Sequence, residues 1–302
     1  MPMSMLSALL TVAGLLLLAV LLIWPAQRAM ARRHVFRREP LLALLVWQAI
    51  SLAAVASLLA AGPVAVFLMR DVLDRPTHLV VAVAAIAITA YMVVRLAIAG
   101  HRVGASLRRT RRQHVELLEL VGRQFAELDE PRPRSLRVID HPTPTAYCVP
   151  GMRHRVVVST GMLAQLGDQE VAAVLAHERS HVRARHDLLV EFFTVLHTAM
   201  PAPLRQDDVL AEVHLLAEVL ADRAAARVVG PVPMGRALVA LANSSHPQAT
   251  LGATGSVSAA QVRLSLLTEV DRRNWMLAVA MTTYAAVVLV LPVTLIGVIT
   301  AG

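Results

Sequence analysis

Lysine is absent from all 302 residues, so the 29 basic side chains are all arginine and a Ser-x-x-Lys acylation motif is excluded. A single cysteine, Cys148, excludes an intrachain disulfide and suits a reducing compartment. Charge is scarce too: 17% of residues are charged against 56% hydrophobic, and the mean hydropathy of +0.59 is far above that of an ordinary soluble domain. A membrane protein is therefore the first expectation. The net charge of +8 does not point to nucleic acid. Its arginines cluster beside the apolar runs, where anionic lipid headgroups account for them. There is no internal repeat and no low-complexity tract beyond alanine richness.

Four windows are long enough to cross a hydrocarbon core, which takes about 20 helical residues: 5–24, 42–62, 79–99 and 276–299. The first lacks a basic leading region and is too long for a signal-peptide core, so it reads as a retained helix. Gly62-Pro63 is a candidate end for the second. Arginine flanks set the orientation. Arg28, Arg32, Arg33, Arg37 and Arg38 follow the first window; Arg102, Arg108, Arg109, Arg111 and Arg112 follow the third; and Arg272 and Arg273 precede the fourth. The expected layout is three membrane helices in 1–100, a cytoplasmic domain in 101–275 and a fourth membrane helix in 276–302. Both termini then face outward across the plasma membrane.

Within the polar segment, Val115, Leu118, Val121, Phe125 and Leu128 recur at helical spacing. Short β-prone stretches at 135–140, 145–149 and 154–159 follow, the last two joined by the turn signal Pro150-Gly151. Asp168 reads as the N-cap of a helix carrying QEVAAVLAHERSHVRAR. Further helices are expected at 187–200, 207–229, 234–244 and 257–269, with mobility in the Ser-, Gly- and Ala-rich stretch 246–258.

His177-Glu178-Arg179-Ser180-His181 matches H-E-x-x-H. Imidazoles at i and i+4 share one helix face and can reach a single Zn2+, while the intervening Glu178 is placed to take a proton from a water rather than to bind metal. Such a pattern arises by chance in on the order of one sequence in fifty of this composition. Its place in mid-helix after three strands argues against coincidence. Glu218 and Asp222, one turn apart on a later helix, offer a third ligand and a carboxylate to orient a ligand histidine. Alone, such a pair is usually a solvated face; beside the histidine motif it reads as His177, His181 and Glu218 on the metal with Asp222 behind them. Tyr147, His214 and Arg223 are alternative transition-state hydrogen-bond donors. His186 and His197 read as structural, Cys148 as a small core residue, and Arg272-Arg273 as the anchor of the last helix rather than a self-cleavage point.

The segments Tyr147-Cys148-Val149-Pro150-Gly151, Val156-Val157-Val158-Ser159-Thr160-Gly161, Val174 to His181 and Glu218-Val219-Leu220-Ala221-Asp222 resemble the membrane metallopeptidases of the beta-lactam-sensor and antirepressor family. Those belong to the gluzincins, which also include prenyl-protein and heat-shock membrane endopeptidases. The resemblance implies that Arg155, Val156, Val157 and Val158 form an edge strand that binds substrate in extended form. It also implies a winged-helix, BlaI-like transcriptional repressor as substrate. The family's penicillin-binding sensor has no counterpart after the last span, so a stimulus would come through the membrane helices, the short outer loops or a partner.

The combined reading is a mainly α membrane protein, four transmembrane helices plus a cytoplasmic α+β gluzincin domain with a small β-sheet, acting as a zinc endopeptidase in a signalling response to antibiotic. Its partners are a protein substrate, the lipid bilayer and a second copy in a homodimer, with no direct nucleic acid. A maturation or quality-control protease for membrane proteins is the alternative. A non-catalytic zinc scaffold is a third class, disfavoured because a structural site has no need of Glu178.

Overall fold

The structure is a computed structural model that describes residues 5–122, 136–149, 155–243, 257–268 and 274–301. It divides into two compact units, one of residues 1–100, 195–209 and 274–302, the other of 101–194 and 210–273.

The first unit holds the apolar helices. Among the described residues four stretches are long and apolar enough to cross a membrane: Met5–Ala31, Pro40–Met69, Arg75–Thr110 and Trp275–Gly297. The first comprises α1 (Met5–Leu21), a π-helical turn at Leu22–Ala26 and α2 (Gln27–Ala31). Pro25 sits inside that turn, where its missing N–H breaks the regular ladder. The side-chain amide of Gln206 donates to the Ile23 carbonyl at 2.7 Å, so the irregular turn is tied to the 195–209 segment. Next, α3 (Pro40–Met69) packs on both α1 and α11 (Trp275–Ala301) around the fully buried Leu15, Trp47 and Ile50.

Gly62-Pro63 does not end α3, contrary to the sequence expectation. An apolar helix gains nothing by exposing backbone to lipid, and a proline is tolerated where neighbours supply the packing. Gly62 has the complementary role of letting α4 (Arg75–Gly122) approach: a Cβ there would collide with Thr89 and come within 2.9 Å of the Ala85 carbonyl. The helical pattern from Val115 continues the third apolar helix, since α4 runs unbroken to Gly122; residues 123–128 lie outside the described set.

The second unit is built on a three-stranded sheet of order β1-β3-β2. β3 (Arg155–Ser159) pairs in parallel with β1 (Leu136–Ile139) and antiparallel with β2 (Ala146–Val149). The hairpin expected of the last two strands is therefore present. β3 is the central strand, with Val156, Val157 and Val158 buried.

The chain leaves β3 into α5 (Thr160–Gln165), a short helix that the sequence analysis did not anticipate. The hydroxyl of Ser159 organises this exit: it accepts from the N–H groups of Met162 and Thr145 and donates to the Thr143 carbonyl. Gly161 donates its N–H to the His141 carbonyl, and a Cβ at this position would strike the carbonyl of Pro142.

α6 (Asp168–Ala184) follows, and its N-cap is Gly167 rather than Asp168. The extended backbone at Gly167 ends one residue earlier than expected, which puts Asp168 and Glu170 in the first turn, against the positive end of the helix dipole. The remaining helices are α7 (His186–Ala199) and α8 (Asp207–Val229), of which residues 195–199 and 207–209 belong to the first unit, and α9 (Pro231–Asn243) and α10 (Val257–Thr268). Val156, Val158, Met162, Val174, Ala225 and Leu238 share one apolar core, so sheet, α5, α6, α8 and α9 are locked together.

The crowding at Gly161 gives a test. Gly161→Ala should destabilise the protein by about 1–3 kcal/mol, the usual cost of overpacking, against about 1 kcal/mol for Ser159→Ala, which removes a cap. Thermal unfolding in detergent would read both; an unchanged Tm for Gly161→Ala would show that the Pro142 turn yields freely.

Candidate metal centre

α6 and α8 carry the centre. His177 and His181 stand one turn apart on α6, with their Nε2 atoms 3.1 Å from each other. Glu218 of α8 completes the triangle: its Oε2 is 3.5 Å from His177 Nε2 and its Oε1 is 3.3 Å from His181 Nε2. Among the described residues these three form the group of ligand atoms that could hold a metal ion. The two contacts of Glu218 are made by different oxygens, and with one ligand atom taken from each residue the three lie within 4.8 Å of one another, close enough to share one ion. Two imidazoles and one carboxylate with a fourth corner left over is also the donor set of a catalytic rather than a structural zinc site.

Behind the triangle lies a buried ion cluster. Asp222, 1% exposed, has Oδ1 2.9 Å from His177 Nδ1, so the nitrogen that does not face the metal position faces a carboxylate. Arg263 of α10 grips the same carboxylate with two bonds of 2.7 Å, from Nε to Oδ2 and from Nη2 to Oδ1. Its Nη1 lies 3.0 Å from Glu218 Oε2. One guanidinium thus orients both acidic residues of α8, in the planar two-pronged geometry that arginine provides and a point charge does not.

The electrostatics follow from this packing. Burial would raise the Asp222 carboxyl, but the charge and hydrogen bonds of Arg263 outweigh it and hold the group below its ordinary range. Burial likewise opposes ionisation of Glu218, yet hydrogen bonds from His177 and His181 and the charge of Arg263 hold it well below the usual carboxylate value. For His177 burial acts downward, and Asp222 followed by Glu218 overturns it, raising the imidazole to about 10. Burial also lowers the pKa of Arg263, and the charge of Asp222 reverses this to a net rise.

Glu178 is half-buried next to His177 and its charge is felt at Arg263. The structure therefore brings together His177, Glu178, His181, Glu218 and Asp222. It does not support the substrate role of Arg155, Val156, Val157 and Val158. β3 is paired on both sides, so its backbone groups are already used within the sheet and no open edge is left for a substrate strand. The edge on that side belongs to β2, which packs against α6.

The other residues weighed from sequence are dispersed. His214 lies one turn before Glu218 and feels its charge, although burial is the larger influence and lowers its pKa. His197 pairs with Asp207 at 2.8 Å in the first unit. His186, expected to be purely structural, touches the centre: its Nδ1 is 3.0 Å from His181 Nδ1. The side chains of Tyr147 and Cys148, residues 272–273 and most of the 246–258 stretch lie outside the described residues.

Arg263 is the residue that sequence reasoning missed. The available signal was a lone arginine between Val262 and Leu264 in an otherwise uncharged helix, a position that calls for an ionic partner.

The raised His177 value has a consequence for the metal-free fold. Because the folded value of about 10 exceeds the value of 6.5 for an unperturbed imidazole, the proton on His177 stabilises the fold fully below pH 6.5, and that contribution is lost as pH rises through 10. In chelator, Tm should fall between those limits, and Asp222→Asn should flatten the fall by removing the largest attraction. A metal-free Tm independent of pH over this range would refute the pairing.

Residues 108–205 match peptidase family M48. The matched region contains His177, Glu178 and His181 and stops short of Glu218, Asp222 and Arg263. No curated protein and no solved structure matches the chain. With the His-His-Glu group beside Glu178, the M48 match supports a metallopeptidase.

Proposed function

We propose that this chain is a membrane-anchored zinc endopeptidase that hydrolyses a peptide bond in a cytoplasmic protein. The observation that carries the proposal is the convergence of His177, His181 and Glu218, whose ligand atoms lie within 4.8 Å of one another, with Glu178 alongside. A bound zinc supplies Lewis acidity, polarising a peptide carbonyl and lowering the pKa of a coordinated water to about 7. The protein's own side chains do the rest. Glu178 accepts the proton of the attacking water on its carboxylate and returns it to the leaving amine. Asp222 stands as a counter-charge 2.9 Å from His177 Nδ1, and Arg263 keeps Glu218 and Asp222 ionised. Among the described residues β2 is the strand with an unpaired edge beside α6, and it offers backbone groups to an extended substrate.

Anchoring rests on the four long apolar stretches, and the cytoplasmic side on the arginines that flank them. The substrate we favour is a winged-helix transcriptional repressor, cut as part of a signalling response, as the resemblance of the four motif segments implies. A second reading is maturation or quality control of membrane proteins, which the match of residues 108–205 to peptidase family M48 accommodates equally.

Glu178→Gln separates base from ligand. The variant should keep its metal and lose peptide-bond hydrolysis by about 10²–10⁴-fold, measured on the purified repressor and on an unfolded test protein. Hydrolysis undiminished in Glu178→Gln would overturn the proposal.

A further inference from the structure

The two candidate ligand histidines are supported by different groups. Behind His177 stands the Asp222 carboxylate, while behind His181 stands a third imidazole, that of His186. Continuation of α6 would carry residue 186 about 140° around the helix axis from residue 181, facing elsewhere. The helix ends instead at Arg185, whose backbone is left-handed with φ 51° although it is not glycine. Its N–H turns back to the carbonyls of His181 and Val182. This reversal brings the His186 ring edge-on to His181, with centroids 4.9 Å apart and planes at 85°, and buries it to 6% exposure. A non-glycine residue in the left-handed region is strained, and here the distortion makes the contact.

The proton positions are then fixed by exclusion. His181 Nε2 is the atom that faces His177 Nε2 and Glu218, so to bind metal it must keep its lone pair and carry its proton on Nδ1. That proton points at His186 Nδ1, 3.0 Å away, which must therefore be a bare acceptor. His186 is accordingly neutral, with its own proton on Nε2. It is not a fourth ligand, because its Nδ1 is occupied on the far side of the His181 ring from the metal position.

We propose that His186 is a positioning residue for the metal centre, accepting the Nδ1 hydrogen of His181 and so holding that ring with Nε2 turned to the metal. The proposal rests on the zinc reading above. It makes the centre asymmetric: a carboxylate sharpens the basicity of His177, and a neutral imidazole orients His181 without adding a second buried charge.

The test is zinc affinity of the detergent-purified full chain, by competition with a chromophoric chelator. His186→Phe keeps a ring and removes the acceptor; affinity should fall 10–100-fold, the usual effect of losing a support to a ligand histidine. His186→Gln, whose amide oxygen can accept, should recover most of that loss. Equal affinity in His186→Phe and wild type, or equal loss in both variants, would overturn the role. A wild type that binds no zinc would overturn the zinc reading and this inference with it, whereas zinc bound equally by all three proteins would overturn the inference alone. Histidine ¹⁵N spectra of the zinc-loaded wild type give an independent answer should His186→Phe not fold. An unprotonated Nδ1 on His186 agrees with the role, and a protonated one contradicts it.

Discussion

Two carboxylates one turn apart on α8, both drawn into the protein, are the constraint around which the second unit is arranged. An ionised Asp222 at 1% exposure would be prohibitive without partners. Arg263 supplies them by gripping Asp222 twice and reaching Glu218 with its remaining nitrogen. Removing one member of such a buried cluster typically costs about 3–5 kcal/mol, because the others are left uncompensated. The cluster is therefore structural and chemical at once. It pins α10 to α8, and it delivers Glu218 to the two histidines of α6 as an anion.

Everything else in that unit serves to bring α6 to the same place. The sheet buries Val156 and Val158 against α5, α6 and the end of α8, and the Ser159 hydroxyl sets the direction in which the chain leaves β3. Close packing around Gly161 admits no side chain there. At the other end of α6 the left-handed Arg185 folds the chain back so that His186 meets His181. The helix that bears the motif is thus fixed at both ends by features that fit only one geometry.

Much of this was legible in the sequence for a physical reason: the signals were periodic or stoichiometric. Long apolar runs report helices without reference to any neighbour, and H-E-x-x-H places two imidazoles on one face by helix geometry alone. What was not legible depended on pairing between distant segments. That β3 is central and β2 the edge is decided by β1, some 20 residues upstream, and alternation within Val156-Val157-Val158 cannot reveal it. Arg263 lies 41 residues beyond Asp222, so only folding shows that they meet. His186 was read as structural because helical spacing takes it away from His181, and a single left-handed residue reversed that. The continuation of α3 through Gly62-Pro63 was misjudged because the usual rule for proline assumes water as the alternative partner for the backbone.

The account turns on whether His177, His181 and Glu218 act together as a metal site, and metal content tests that most directly. Elemental analysis of the full chain, purified in detergent without chelator, should find about one zinc per chain in the wild type and none in Glu218→Ala. Zinc absent from the wild type, or retained in full by Glu218→Ala, would contradict the assignment of the centre.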